Sequence, residues 1–274
     1  DFTYLTTGGP KLEVRTVEKI MRERRAYPQI VQASIYALRP LLELNDDLRE
    51  EAQMSQIPQI IVSVMNLGMR DTKIFSDSLQ TLMLLLRAKG SHQSSMFSAD
   101  DYSAPRIEAI IEGDAIAVLL RGMALHINCI KVQSMGCWAM VNLGLNNDHR
   151  DALITQGGVE TIFTSMRSFP DHRTIQFRGI FALINLCSSS RIQGRSSSDM
   201  FTSRASPAPT IKLILHAVIV ATRKFIDDIE LCNRACTVFY NLALNTENHP
   251  FLMDSIPTRE ILEELKEKYN RSEE

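Results

Sequence analysis

The feature that most constrains this chain is an internal repeat with a period of about 43 residues. The segment IQFRGIFALINLC lies 43 residues after the matching part of IKVQSMGCWAMVNLGLNN. It places Phe181 in the register of Trp138, and Asn185 in the register of Asn142. A later copy, LCNRACTVFYNLALN, adds Asn241 to the same column. A fixed period of this length is typical of arrays in which each unit stacks on the next.

Two earlier copies extend the column toward the start of the chain. IVQASIYALRPLLELN and IFSDSLQTLMLLLRAKG carry Pro40 and Leu84 at the Asn position. Successive intervals along the column are 44, 58, 43 and 56 residues. The two long intervals each contain a polar, Ser-rich segment, 91–104 and 188–208. Without these segments the period is uniform, so we interpret them as loop insertions between repeats.

The columns around the Asn position predict helices. A Leu follows that position in every copy, and a small residue lies six positions before it in every copy. The Leu residues are Leu41, Leu85, Leu143, Leu186 and Leu242. Spacings of three, four and seven residues put such positions on one helix face. Since no Val/Ile/Thr-rich stretch alternates with period two, strands are not predicted, and the fold class is all-α.

The combination of these motifs resembles the armadillo repeat. The pattern VQ-x-x-G-x-W-A-x-x-N-L, followed by ITQGGVE, is similar to the third helix and the next turn of that family. Five copies of this helix cover nearly the whole chain. The resemblance implies one right-handed α-α superhelix, an armadillo-like solenoid of about five repeats over residues 1–274. The charged segment 257–274 then fits a C-terminal capping helix and tail.

The resemblance also implies a partner-binding site. Third helices of the family line a concave groove, where Asn side chains bind the backbone of an extended peptide and Trp forms a wall. The predicted partner-binding residues are Trp138, Asn142, Arg178, Phe181, Asn185, Arg234 and Asn241. The first two copies lack the Asn, so we expect the site in the C-terminal half. Two alternatives stay open: the Asn side chains bridge helices internally, and the Arg side chains form local salt bridges.

The two arginines predict the charge of the partner. Arg178 and Arg234 lie three residues before the Trp position of their copies. Guanidinium groups bind carboxylates in a bidentate manner, so we expect a neutral or acidic protein or peptide. An importin-α-like nuclear-import adaptor is a third alternative. Such carriers use repeated Trp–Asn pairs and acidic residues for basic peptides, whereas this chain has one such pair.

Composition argues against several function classes. The net charge is −2, which does not favour nucleic acid. The apolar run from Ile211 is too short for membrane insertion, and we interpret it as a buried helix with His216 as a core residue. No phosphate loop, metal-binding pair or nucleophile elbow is present, so we expect no enzyme, cofactor or metal site. Five cysteines in mostly apolar runs indicate reduced, buried thiols and a cytoplasmic protein, with the nucleus as an alternative.

We therefore predict a non-catalytic protein-interaction module, a scaffold or adaptor. The alternative is a regulatory or dimerising armadillo arm of a larger multidomain signalling enzyme, such as a kinase or GTPase. Ser198 and Ser206 are candidate phosphorylation sites, with an inert linker as the alternative reading of that segment. The peptide-binding hypothesis predicts that Asn142→Ala combined with Asn185→Ala weakens a partner and leaves thermal stability nearly unchanged.

Overall fold

The computed structural model describes residues 14–86, 114–189, 191–193 and 208–270. Within these residues the regular structure is entirely helical, with no strand. This confirms the all-α prediction. The helices divide into two compact units, and the boundary lies between Leu125 and His126. Neither the number of repeats nor the single solenoid over 1–274 is tested by this division, and both stay predictions.

The first unit contains six described helices. They are α1 (Val14–Glu23), α2 (Pro28–Leu44), α3 (Asp46–Gln53), α4 (Ile57–Leu67), α5 (Thr72–Leu85) and α6 (Ala115–Leu125). The third helices of the first two repeat copies are α2 and α5, which pack against each other, and α4 packs on α5 and α6. α1 is amphipathic: it packs on α2, α3 and α4 with Val14, Val17 and Met21 buried, and its charged residues are mostly exposed.

The second unit contains eight described α-helices. They are α7 (Ile130–Leu143), α8 (Asn147–Thr155), α9 (Gly158–Ser168), α10 (Arg173–Cys187), α11 (Ala208–Lys224), α12 (Ile229–Ala243), α13 (His249–Met253) and α14 (Ile256–Asn270). A 3-10 turn, Thr246–Asn248, precedes α13. α10 packs between α7 and α12, which makes a row of three third helices. The second helices α9 and α11 pack together, and α14 packs on α11.

A recurring Leu-x-Leu-Asn sequence ends three of the third helices and begins the next repeat. Asn45 and Asn146 cap α3 and α8, because each side-chain oxygen accepts hydrogen bonds from the backbone amides two and three residues later. Asn245 accepts one from Glu247 in the same way. The repeat therefore has its own helix start signal. The Gly-Gly turn is also confirmed, since Gly157 adopts φ +88° directly before α9.

The predicted insertions and phosphorylation sites lie mostly outside the described residues. The segment 91–104, Ser198 and Ser206 all lie outside them, as does most of 188–208. The predicted C-terminal cap corresponds to α14, which buries Ile261 and Leu265. No helix among the described residues is long and apolar enough to cross a membrane.

Two sequence interpretations were wrong. The apolar run from Ile211 forms α11, but only one face of this helix is buried, and His216 is exposed rather than a core residue. Its ring meets the Phe163 ring edge-on, with centroids 5.5 Å apart. Among the cysteines, Cys236 is exposed, because it lies on the face of α12 that no described helix covers. Three other cysteines are buried as expected: Cys137, Cys187 and Cys232.

Candidate partner-binding site

The seven predicted partner-binding residues all lie on the third helices of the second unit. α7 carries Trp138 and Asn142; α10 carries Arg178, Phe181 and Asn185; α12 carries Arg234 and Asn241. Six of the seven are partly exposed, whereas Asn142 is only 1% exposed. The packing of the three helices therefore places the seven residues on adjacent helices.

The Asn column connects neighbouring helices. The Asn185 Nδ2 donates to the carbonyl oxygen of Val141 at 2.8 Å. The Asn241 Nδ2 donates to the carbonyl oxygen of Ile184 at 3.1 Å. Each acceptor is the residue directly before the Asn position of the preceding helix, so both bonds have the same register. These contacts support the alternative in which the Asn side chains bridge helices. They also speak against the expectation that removing Asn185 leaves stability unchanged.

Beside the Asn column, Arg178 covers the ring of Trp138. Its guanidinium carbon lies 5.2 Å from the ring centroid, within the range of a cation–π contact. The Arg178 Nη1 also donates to Ser134, at 2.8 Å to the hydroxyl and 3.1 Å to the carbonyl oxygen. The Arg178 side chain of α10 is thereby held against α7.

Arg234 repeats this contact one copy later. Its guanidinium carbon lies 4.0 Å from the Phe181 centroid and 4.3 Å from the Phe177 centroid. The Trp138 and Phe181 rings are 6.0 Å apart and tilted by 59°. We call these five side chains the aromatic–arginine row: Trp138, Arg178, Phe181, Arg234 and Phe177. In both cases an Arg three positions before the Trp position stacks on the aromatic ring of the preceding copy.

Arg173 lies next to the row, at the N-terminal ends of α10 and α12. It stacks over Phe177 at 5.3 Å and donates to both carboxylate oxygens of Asp228 and to Glu230. The hydrogen bond from Arg173 lowers the pKa of the Asp228 carboxyl below its ordinary value. Since Asp228 also caps α12, this ion pair holds the start of that helix against α10.

The two central arginines, Arg178 and Arg234, are partly buried against neighbouring helices. Burial is the main cause that lowers the pKa values of both Arg178 and Arg234. One face of each guanidinium is occupied by an aromatic ring, and Arg234 also lies 4.0 Å from the carboxylate of Glu230. The prediction treated these groups as available to a partner's carboxylates. In the structure their first role is to join neighbouring helices.

The first unit has different chemistry at the same register. Asp77 lies three positions before the Trp position of its copy, where α10 and α12 of the second unit have Arg and α7 has Met135. Its Oδ2 accepts hydrogen bonds from the Tyr36 hydroxyl at 2.9 Å and from the Gln32 amide at 3.1 Å. Tyr36 of the first copy thus contacts Asp77 of the second, as Trp138 contacts Arg178 of the next copy. The paired arginines are therefore a feature of the second unit.

Two glutamines to which the sequence assigned no role, Gln133 and Gln176, also connect the third helices to their surroundings. The Gln133 Nε2 donates to the carbonyl oxygen of His126 at 3.0 Å. The Gln176 Nε2 donates to those of Phe169 at 2.8 Å and Met166 at 2.7 Å. Both glutamines thus bind a carbonyl oxygen seven residues back, in the turn before their helix, and Gln176 also binds one at the end of α9. The Val-Gln or Ile-Gln pair at the start of these helices was the available signal, but the acceptors are backbone groups that the sequence does not mark.

The comparisons with known proteins agree with the repeat. The family described as LRRK2 ARM repeat matches residues 11–203, more than half of the chain. The chain belongs to this armadillo-repeat family. Searches of curated proteins and of solved structures gave no match. Membership confirms the armadillo resemblance that was carried by the Asn-Leu pattern and the Gly-Gly turn. In the described part of this ARM-repeat chain, no cluster of three metal-ligating side chains occurs.

Proposed function

We propose that the chain is a non-catalytic protein-interaction module, a scaffold or adaptor built as a right-handed superhelix of about five ARM repeats. It binds an extended, neutral or acidic segment of a cytoplasmic protein across α7, α10 and α12. The observation that carries this proposal is the aromatic–arginine row, whose members are all partly exposed. Trp, Phe and Arg in a partly buried, ordered row supply large contact areas with little loss of side-chain entropy.

The Asn bridges give this surface its rigidity. The bonds from Asn185 and Asn241 fix the spacing of the three third helices. A preorganised surface loses less conformational entropy on binding than a mobile one. In this proposal the row contacts the partner, and the Asn column holds the row in place.

A quantitative pull-down from cell extract tests the proposal. The variant Trp138→Ala with Arg178→Gln removes the indole and one of the two positive charges of the row. We expect at least one protein that the wild type retains to be lost by this variant, because hot-spot side chains contribute most of the binding energy. For an acidic partner, retention also falls as salt is raised.

The matched control is Lys266→Gln with Leu262→Ala on α14 of the same unit, where both residues are exposed and lie outside the row. A partner that depends on the row is retained by this control. If every retained protein binds equally to the wild type and to the row variant, the row is a packing feature only. Melting curves of both variants show whether a loss of binding comes from unfolding.

The second candidate function is a regulatory or dimerising arm of a larger signalling enzyme. The observation in its favour is the family itself, which is named as the ARM repeat of another protein, LRRK2, and so as one region within it. Light scattering of the isolated chain tests the dimerising form. A concentration-dependent rise in mass supports it, and a strict monomer at high concentration speaks against it.

A further inference from the structure

A cleft on the second-helix side of the second unit has no role in the proposed function. It has a volume of about 650 Å³ and lies between α11 and the segment formed by α13 and the start of α14. Six residues of α11 line it: Lys212, Leu215, His216, Ile219, Val220 and Arg223. A smaller cavity of about 130 Å³, between α9 and α11, shares His216 and Val220 with it. We call the two together the α11 cleft.

The base of the α11 cleft is apolar. Leu215 and Ile219 are nearly buried, with 5% and 6% of their surface exposed, and Phe251 lines the opposite side. Val220 is 50% exposed on the ridge between the two cavities. An exposed branched side chain beside an apolar cleft presents surface that a partner can remove from water.

The lining of the α11 cleft contains more basic than acidic side chains. Four basic side chains line it, and Asp254 is the one acidic side chain among its described lining residues. The basic residues are Lys212, Arg223, Arg167 and Lys224. Ion pairs with Glu260, Glu264 and Asp171 compensate Arg223 and Lys224. Within the described residues, Lys212, Arg167 and Asp254 form no ion pair, so two basic groups and one carboxylate of the lining remain uncompensated.

The spacing of the lining residues defines the length of the surface. Positions 212, 215, 216, 219, 220 and 223 form one stripe of α11. At 1.5 Å per residue the stripe is about 16 Å long, which is roughly three helical turns. A helix of similar length laid along α11 presents apolar residues at i, i+3 or i+4, and i+7 to this stripe.

We propose that the α11 cleft binds an acidic amphipathic helix of a protein partner. The apolar face of that helix packs on Ile219, Val220 and Phe251, and its flanking carboxylates pair with Lys212 and Arg167. The charge of the lining selects the acidic partner, and the apolar stripe selects a helix over an extended segment. This interaction is separate from the one at the aromatic–arginine row and does not depend on it.

Fluorescence anisotropy with two designed helical peptides of about 18 residues, or roughly 27 Å of helix, tests the proposal. Both peptides carry the same apolar stripe; one has Glu and the other has Lys on the flanks. We expect saturable binding of the Glu peptide to the wild-type chain, at least about tenfold tighter than that of the Lys peptide. Val220→Asp weakens Glu-peptide binding by about tenfold or more. Lys212→Glu reduces the preference for the Glu peptide.

The matched control is Leu67→Asp, which replaces a 60% exposed apolar residue on a second helix of the first unit. It leaves binding unchanged if the α11 cleft is the site. The proposal is overturned if the Glu peptide does not bind, if both peptides bind equally, or if Val220→Asp has no effect. Sedimentation of the wild type and Val220→Asp detects a second copy as the occupant: a dimer that this substitution disrupts would also overturn the proposal.

Discussion

At the scale of single residues, Asn185 shows how one side chain supports two interpretations. Its place in the repeat predicts a surface that binds a peptide backbone, and a carboxamide has the donor and acceptor for that. In the structure its amide donates to the Val141 carbonyl oxygen of the neighbouring helix. Sequence shows that the residue recurs, but both interpretations predict recurrence. Only the position of the neighbouring helix tells them apart.

Asn185→Ala is therefore expected to lower the free energy of unfolding by about 1 kcal/mol, the usual net contribution of one intramolecular hydrogen bond. Urea unfolding of the wild type and the variant measures this. The control is Asn233→Ala at an exposed position of α12, where a change within about 0.5 kcal/mol is expected. Unchanged stability together with lost partner binding would restore the peptide-contact interpretation of the column.

At the scale of helices, most of the structure follows from the sequence columns. The third helices lie where the Asn-Leu pattern places them, and the Asn caps begin the next helices where Leu-x-Leu-Asn occurs. The pairing of Arg with the aromatic ring of the preceding helix could not be predicted. It joins residues 40 or more positions apart, and it depends on the offset between packed helices.

Gly122 is a further position that the columns did not mark. A Cβ placed on this residue of α6 would lie 1.9 Å from the Phe75 ring, which is fully buried on α5. Gly usually destabilises a helix interior relative to Ala by about 1 kcal/mol. Here the Phe75 ring lies so close that position 122 has no space for a side chain, which explains the glycine.

Gly122→Ala is expected to destabilise the chain by about 1–3 kcal/mol despite its better helix propensity, because a core without spare space does not accept another methyl group. Thermal or urea unfolding measures the loss. Combining it with Phe75→Leu tests the cause, since the two effects should not be additive if they share this contact. Additive effects, or a more stable Gly122→Ala variant, would show that the ring moves aside at little cost.

At the scale of the whole molecule, buried thiols couple stability to alkaline pH. Burial raises the pKa of the Cys137 thiol to about 11, from an ordinary value near 9. Burial also raises the pKa of the Cys187 thiol. Both cysteines face the interior of the second unit, where a thiolate has no solvent to stabilise it.

We expect the free energy of unfolding to fall as pH rises from about 9 through 11. In this range the unfolded chain releases the Cys137 proton while the folded chain retains it, so deprotonation favours the unfolded state. Urea titrations at a series of pH values measure the fall, and it should be smaller in Cys137→Ala. An identical pH dependence in that variant would assign the effect to other groups.

The sequence by itself determined the repeat, the all-helical class, the family and the three helices that carry the candidate site. These depend on periodicity and on local helix signals, which are properties of short segments. Tertiary structure decided what the site residues do. In the tertiary structure Asn185 bridges two helices, Arg234 contacts the rings of Phe177 and Phe181, and His216 is exposed beside a cleft. Each of these outcomes depends on the packing offset between neighbouring helices, and the residue pattern of one helix does not contain that offset.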